Sequence, residues 1–220
     1  MNVGFQIDEI DKLNIKTDSS LPLILESQKR KNKNFYFLLS SLTFKNNLVY
    51  AQAREISFKD NKLKNYVIGN SKQVRVDNFN YVFIRQDPPY NMEYISSMHL
   101  LEQVKGPTKF INHPNGIRNA PEKISMLSYK EIIPPTVITR EKKEINDFIK
   151  QNGKCVIKPL YGNGGESIFL LDKQDENYNQ IIERFIDQLK EPFIIQKFLP
   201  EIKHGDKRII LVNGLSLIHI

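Results

Sequence analysis

The stretch CVIKPLYGNGGES at 155–167 restricts the fold of this chain more than any other. An apolar pair, Val156 and Ile157, leads into a lysine, Lys158, then a proline, then a loop in which Gly162, Gly164 and Gly165 fall within four positions. Glycine has no Cβ and takes φ > 0 freely, so such a loop lets backbone N–H groups close on an anion. The following run, SIFLL at 167–171, suits a strand, and the loop therefore joins two strands rather than opening a helix. A P-loop needs Gly-x-x-x-x-Gly-Lys-Ser/Thr before a helix, and a dinucleotide fingerprint needs a third glycine where Ser167 stands, again before a helix; neither pattern fits. A glycine turn with a lysine on the preceding strand suits a nucleotide covered by a hairpin, as the kinase glycine loop covers ATP. A purely structural hairpin is the other reading of the same residues.

Composition narrows the partners. A chain of 220 residues holds one large domain or two modest ones, and 40% hydrophobic with 26% charged residues is ordinary for a globular protein. The start, MNVGFQIDEI, has neither the basic leader nor the long apolar core of a signal peptide, and no apolar run reaches bilayer length, so a cytoplasmic protein without a membrane partner is expected. The single cysteine, Cys155, rules out an internal disulfide framework and a multi-cysteine metal site, and fits a reducing compartment. His99, His113, His204 and His219 show no metal-ligand spacing. A net charge of +7 raises nucleic acid as a partner, but the lysines are scattered and no dense basic run is interleaved with aromatics. No nucleic-acid partner is expected; a basic cleft for a phosphorylated small molecule needs only a few of these charges.

In chain order, residues 3–7 read as a buried strand, and Asp18, Ser19 and Ser20 precede an apolar-periodic helix at 21–28 that Asp or Ser can cap. Positive charge at 29–33 closes that helix, and 35–39 supplies a second strand, a β-α-β opening. Residues 48–75 alternate in short runs, as in a small antiparallel insertion. The strand at 81–84 ends in Arg85-Gln86-Asp87-Pro88-Pro89-Tyr90, and charged residues just past the carboxyl end of a strand in an open α/β sheet sit where ligands bind. A stiff loop with Arg85 and Asp87 paired is the alternative. A helix at 92–104 and a short strand at 109–112 follow. Residues 112–123 form a polar crossing, with Pro121 in the first turn of a helix bearing Glu122, Lys123 and Leu127, and the domain boundary falls near here. Beyond it come a strand at 135–138, a helix at 142–151, the lysine strand and glycine hairpin, a helix at 178–189, a strand at 193–198, the polar run EIKHGDKR at 201–208, and a strand at 209–212.

Five blocks in this order, DSSLPLILESQKR, IRQDPPYNMEYI, INHPNGIRNAPEKI, VIKPLYGNGGESIF and IQKFLPEIKHGDKRIILVNG, resemble the prokaryotic glutathione synthetases of the ATP-grasp superfamily. The resemblance covers nearly the whole chain. It implies an α/β fold class: an N-terminal open, three-layer α/β sheet domain at 1–120 that binds substrate, then an incomplete ATP-grasp α+β domain at 121–220. It also implies the activity of an ATP-dependent carboxylate-amine ligase that joins γ-glutamylcysteine to glycine through an acyl phosphate and yields glutathione, ADP and phosphate. ATP and Mg²⁺ are the implied cofactors, and a homotetramer the implied assembly.

By the same resemblance Lys123 and Lys158 contact ATP phosphates, and Gly162, Asn163, Gly164 and Gly165 form the cover over the γ-phosphate. Gln196, Lys197, Phe198 and Leu199 match the connecting strand whose backbone holds the adenine edge, which leaves their side chains free to vary. Asp206 matches the acidic group near the ribose, and Arg208 the arginine that neutralises the acyl phosphate. Asp18, Ser19, Ser20, Arg85 and Asp87 fall in blocks that imply substrate contacts. Plain strand roles for Gln196 and Lys197, and pairing of Asp206 with Lys207 or Arg208, remain open. Cys155 reads as a small buried strand residue, since ligation through an acyl phosphate needs no enzyme nucleophile.

The family pattern runs on beyond Gly214, where its metal-binding acidic residues and asparagine lie, and 215–220 depart from the proline-containing continuation. The expectation is a truncated portion, inactive alone, without Mg²⁺ ligands and with apolar surface and a strand edge left open. Two other readings stand beside this one: an ATP-grasp ligase that adds glutamate to a protein or peptide, against which the 18–20 and 85–90 blocks argue, and a non-catalytic nucleotide-binding remnant.

Overall fold

The computed structural model describes residues 1–162, 164–165, 167–207, 209–212 and 214–216. The expectations for Asn163, Arg208 and His219, and for 217–220, lie outside the described residues. The chain divides into two compact units, one of Met1–Ser125 with Tyr161–Gly164, the other of Met126–Leu160 with the residues from Gly165 on.

The first unit opens with β1 (Asn2–Gln6), α1 (Ser20–Lys29) and β2 (Lys33–Phe37). The start of α1 is set by Asp18, whose Oδ1 accepts from the backbone N–H of Ser20 at 2.8 Å and of Leu21 at 2.9 Å. These donors have no partner within the helix, which is why an acidic cap stabilises it. Of the two residue types able to cap, it is the aspartate that does so. Leu21, Ile24 and Leu25 then recur on one face and are buried against Val3 and Phe5 of β1. Burying each of the larger side chains contributes about 1.5–3 kcal/mol.

The antiparallel segment is larger than an insertion. β3 (Thr43–Lys45), β4 (Leu48–Phe58), β5 (Tyr66–Ile68) and β6 (Lys72–Arg75) all attach through β4, which pairs antiparallel with β2 and so extends the central sheet. β7 (Tyr81–Ile84), α2 (Met92–Leu101) and β8 (Lys109–Ile111) complete it, with sheet order β3-β4-β2-β1-β7-β8. Strands β2, β1, β7 and β8 run parallel. They are apolar on both faces because α1 packs on one side and α2 on the other: Phe5 and Ile24 share one core, Val82, Ile84, Met98 and Leu101 the second.

Two short helices follow, α3 (Pro114–Asn119) and α4 (Glu122–Ser125). The first corrects the reading of 112–123 as a polar crossing without a helix before Pro121. Pro114 at its first turn is buried, and Ile117 packs against the α2 core, so tertiary contact rather than propensity holds a turn that contains Gly116.

The second unit contains β9 (Thr136–Thr139), α5 (Lys142–Asn152), β10 (Cys155–Lys158), β11 (Phe169–Leu171), α6 (Tyr178–Gln188) and β12 (Phe193–Lys197). The strands form an antiparallel sheet in the order β11-β10-β12-β9. One face, with Cys155, Ile157, Leu171, Phe193 and Ile195, is buried under Ile145 and Ile149 of α5 and Ile182 and Phe185 of α6. Because side chains alternate, Thr136, Val156, Lys158, Ile194 and Gln196 point to the other face. A small hairpin, β13 (Leu211–Val212) with β14 (Leu215–Ser216), stands apart from this sheet.

Candidate active site

In the first unit β1 connects to β2 on one side of it, whereas β7 lies on the other, so the strand order reverses between β1 and β7. The crevice beyond the carboxyl ends of such a pair is where open α/β sheets bind ligands. Three segments meet there. Arg85, one residue past β7, donates from Nη2 to Ser19 Oγ at 2.6 Å, which ties the loop to the start of α1. The backbone N–H of Asp87 donates to Asp8 Oδ2 at 2.8 Å, and Asp8 lies just past β1. Beneath them the buried amide of Gln6 donates from Nε2 to Gln86 Oε1, while its own Oε1 is buried with no partner among the described residues.

The charges in this cluster act on one another. Burial, then the Asp8 and Asp18 carboxylates, push the Asp87 pKa above the usual aspartate value, and Arg85 opposes them. Burial raises Tyr94 in the same way, helped by Tyr90, Asp8 and Asp87 and opposed by Arg85. Arg85 bonds to Ser19 rather than closing the pair with Asp87 that the alternative reading of this loop requires. Of the sequence-named residues, Asp18, Ser19, Arg85 and Asp87 are brought together; Ser20 is 1% exposed inside the first turn of α1 and serves the helix. Asp8, Gln6 and Tyr94 were missed. The rule that singled out Arg85 and Asp87, charge just past a strand, applies equally to Asp8 after β1.

The glycine loop begins in this unit. The Tyr161 ring stacks on Tyr90 with centroids 5.8 Å apart, Tyr90 also meets Tyr94 at 5.5 Å, and the Tyr90 hydroxyl donates to the Arg118 carbonyl. Lys123 Nζ donates to the Gly162 carbonyl at 2.6 Å, and burial pulls the lysine pKa below its ordinary value against the opposing Glu122. Gly164 and Gly165 follow with φ of 62° and 78°. A Cβ at either would meet nothing within 4 Å, so glycine is needed there for the backbone turn and not for lack of room.

In the second unit Lys158 projects from the face opposite the helices. Its Nζ donates to Gln196 Oε1 at 3.0 Å, Gln196 Nε2 donates to Thr136 Oγ1 at 2.8 Å, and the Thr136 hydroxyl donates to the Pro134 carbonyl at 2.7 Å. In this chain the side chain at 196 is engaged: Gln196 is 8% exposed and bonded at both ends of its amide. Lys197 and Leu199 are exposed, Phe198 donates its N–H to the Lys154 carbonyl at 3.0 Å, and Asp206 is exposed beyond the turn at Pro200–His204.

An open α/β sheet unit joined to an antiparallel sheet with a lysine strand and glycine turn is the arrangement of the ATP-grasp ligases, and solved structures agree. A RimK domain ATP-grasp protein from Sphaerobacter thermophilus is similar in fold, with a TM-score of 0.56 at 15% identity over 91% of this chain and 65% of that one, so the chain spans less than two thirds of its length. Sequence comparison is more specific. The family model for the prokaryotic glutathione synthetase N-terminal domain matches residues 1–118, and that for the prokaryotic glutathione synthetase ATP-grasp domain matches 122–219. Glutathione synthetases from Rhodopseudomonas palustris and Bradyrhizobium diazoefficiens are 41% and 40% identical over 97% of the chain, which spans 68% of each of them. The chain belongs to the prokaryotic glutathione synthetase family, a family of ATP-grasp ligases.

Proposed function

We propose that the chain carries the substrate and nucleotide groups of a glutathione synthetase, in which γ-glutamylcysteine, glycine and ATP give glutathione, ADP and phosphate. Lys158 and Lys123 hold the phosphates of ATP, and Gly162, Asn163, Gly164 and Gly165 cover the γ-phosphate. The backbone of 196–199 holds the adenine edge, Asp206 lies toward the ribose, and Arg208 neutralises charge on the acyl phosphate. A boundary near residue 120 divides the substrate portion from the nucleotide portion. The observation that carries the reading is the Lys158 ammonium, projecting from the sheet face opposite α5 and α6, on the strand that enters the glycine turn.

The chemistry explains the residue types. A carboxylate is a poor electrophile; transfer of the γ-phosphoryl group to its oxygen makes a mixed anhydride and releases ADP. The glycine amine then attacks the acyl carbon, and phosphate leaves as the amide forms. Negative charge gathers around the transferred group in both steps, and fixed ammonium and guanidinium groups stabilise it electrostatically. Among the described residues no three His, Cys, Asp or Glu side chains stand together as ligands for an ion. The described residues do not fit the magnesium expected of the reaction, and the roles proposed for them rest on lysines, Arg85 and the backbone.

At the β1/β7 crevice an arginine faces three aspartates, a pattern that suits an amino-acid end bearing both a carboxylate and an ammonium. Arg85 takes the carboxylate with its planar fork, and Asp8 and Asp87 take the ammonium. The γ-glutamyl end of γ-glutamylcysteine has this character. By family resemblance the reading extends to a cytoplasmic homotetramer; no helix among the described residues is long and apolar enough to cross a membrane.

The test is glutathione formation by the purified product of the complete gene, read by mass spectrometry with all three substrates and Mg²⁺ present. Absence of product sinks the reading. Lys158→Met, which keeps the apolar stem, is expected to weaken ATP binding at least about tenfold, roughly 1.4 kcal/mol, with little change in Tm. Equal nucleotide titrations for the two proteins remove Lys158 from the site.

A further inference from the structure

We propose that Gln196 is a positioning residue for Lys158: a neutral amide that aims the ammonium from the sheet face without cancelling its charge. The inference rests on the reading of Lys158 as a phosphate ligand and deepens it.

The geometry fixes the amide in one sense. Gln196 and Thr136 stand directly opposite each other on β12 and β9, and Lys158 is the diagonal neighbour on β10, opposite Ile194. All three therefore share one face of the sheet at cross-strand reach. The Thr136 hydroxyl donates its proton to the Pro134 carbonyl at 2.7 Å, so its oxygen receives the Gln196 Nε2 donor at 2.8 Å. That leaves Oε1, and only Oε1, to face the Lys158 ammonium at 3.0 Å. A flipped amide sets donor against donor at the lysine and oxygen against oxygen at the threonine, so the hydrogen-bond chain dictates its own orientation. The amide lies in a setting where its polar atoms need partners, and Ile194 beside it is fully buried.

The residue type matters as much as the place. A lysine stem has many rotamers, and a ligand that must order it gives up part of its binding energy to do so. An anchor removes that cost in advance. A glutamate at 196 also anchors Lys158, but a carboxylate beside the ammonium cancels much of the field that a phosphate requires. Glutamine holds the group and, being neutral, brings no opposing charge of its own to it.

The experiment measures ADP affinity by calorimetry and Tm on the complete protein carrying Gln196→Leu, Gln196→Glu, Thr136→Val, Thr136→Ser, Lys158→Met, and Gln196→Leu with Lys158→Met. Gln196→Leu is expected to weaken ADP binding about tenfold in the wild-type background and less than about twofold when Lys158 is already methionine. Gln196→Glu weakens it as well, although an acceptor oxygen remains at this position. Thr136→Val gives a smaller loss and Thr136→Ser, which retains the hydroxyl, restores affinity. Equal losses from Gln196→Leu in both backgrounds overturn the proposal, because a merely structural amide acts whether or not the lysine is present. Wild-type affinity in Gln196→Glu overturns it too. If Lys158→Met alone leaves ADP affinity unchanged, the phosphate role of Lys158 fails first and this proposal with it; if Lys158→Met weakens binding and Gln196→Leu does not, only the positioning role falls.

Discussion

Arg85 Nη2 and Ser19 Oγ lie 2.6 Å apart although 66 positions separate them, and this bond joins the loop beyond β7 to the start of α1. It holds the guanidinium at the mouth of the β1/β7 crevice with its remaining donors free of Asp87. An arginine held in this way is already oriented for a planar anion, which lowers the ordering cost of binding one.

Arg85→Lys tests that orientation. Lysine keeps the charge and loses the planar fork, so KM for γ-glutamylcysteine is expected to rise about tenfold while KM for ATP stays within about twofold. Steady-state kinetics varying each substrate checks the split, and parallel changes in both constants would point to a general disturbance of the first unit.

Asp87→Asn separates stability from binding. The folded-state pKa of Asp87 is raised, so between the ordinary aspartate value, about 3.9, and the raised one the native state binds more protons than the unfolded state. Stability is lost as pH rises through that window, and above it the cost of the charged form is fully present. Asparagine removes the cost. Tm of the variant is expected to exceed wild type slightly at pH 7 and to match it below about pH 3.9, the gain being small because the carboxyl is only partly withdrawn from solvent. Thermal scans across pH decide it, and a variant less stable at pH 7 contradicts the assignment.

Cys155 is 0% exposed, and burial pushes its thiol up to about 11, with Lys197 opposing. At pH 8 about one thiol in a thousand is then ionised, and that one is shielded. Labelling with a disulfide reagent should be slow in the native protein and immediate in denaturant, with the native rate tracking opening of the second unit. Rapid labelling of the native protein would move Cys155 out of the core beneath α5 and α6.

Gly164 sits at φ 62° with open space where a Cβ would stand, so the backbone alone sets the cost of substitution. Asparagine enters this region readily, whereas valine there costs about 1–2 kcal/mol or more. Turnover is expected to fall further in Gly164→Val than in Gly164→Asn, with Tm nearly constant in both. Equal losses would mean that space above the loop, rather than its turn, is what the nucleotide needs.

Much of this arrangement can be read along the chain because it follows from local chemistry. The cap before α1, the apolar stripe of Leu21, Ile24 and Leu25, and the two strand-forming runs around the glycine turn depend on neighbours a few residues away, and the five ordered blocks name the family. α3 escaped notice since its reasons are distant: Pro114 and Ile117 are buried by packing, in a segment whose own propensity is low. The meeting of Asp8 with Asp87 and of Gln196 with Thr136 was equally hidden. Each pair joins through strand order and register, and a register shift of one residue would turn Gln196 toward α5 and α6 and leave Lys158 without its amide. Sequence carries which groups are present and which local elements they start or end; long-range packing, through burial of both sheet faces and the alternation of side chains, selects which of them touch.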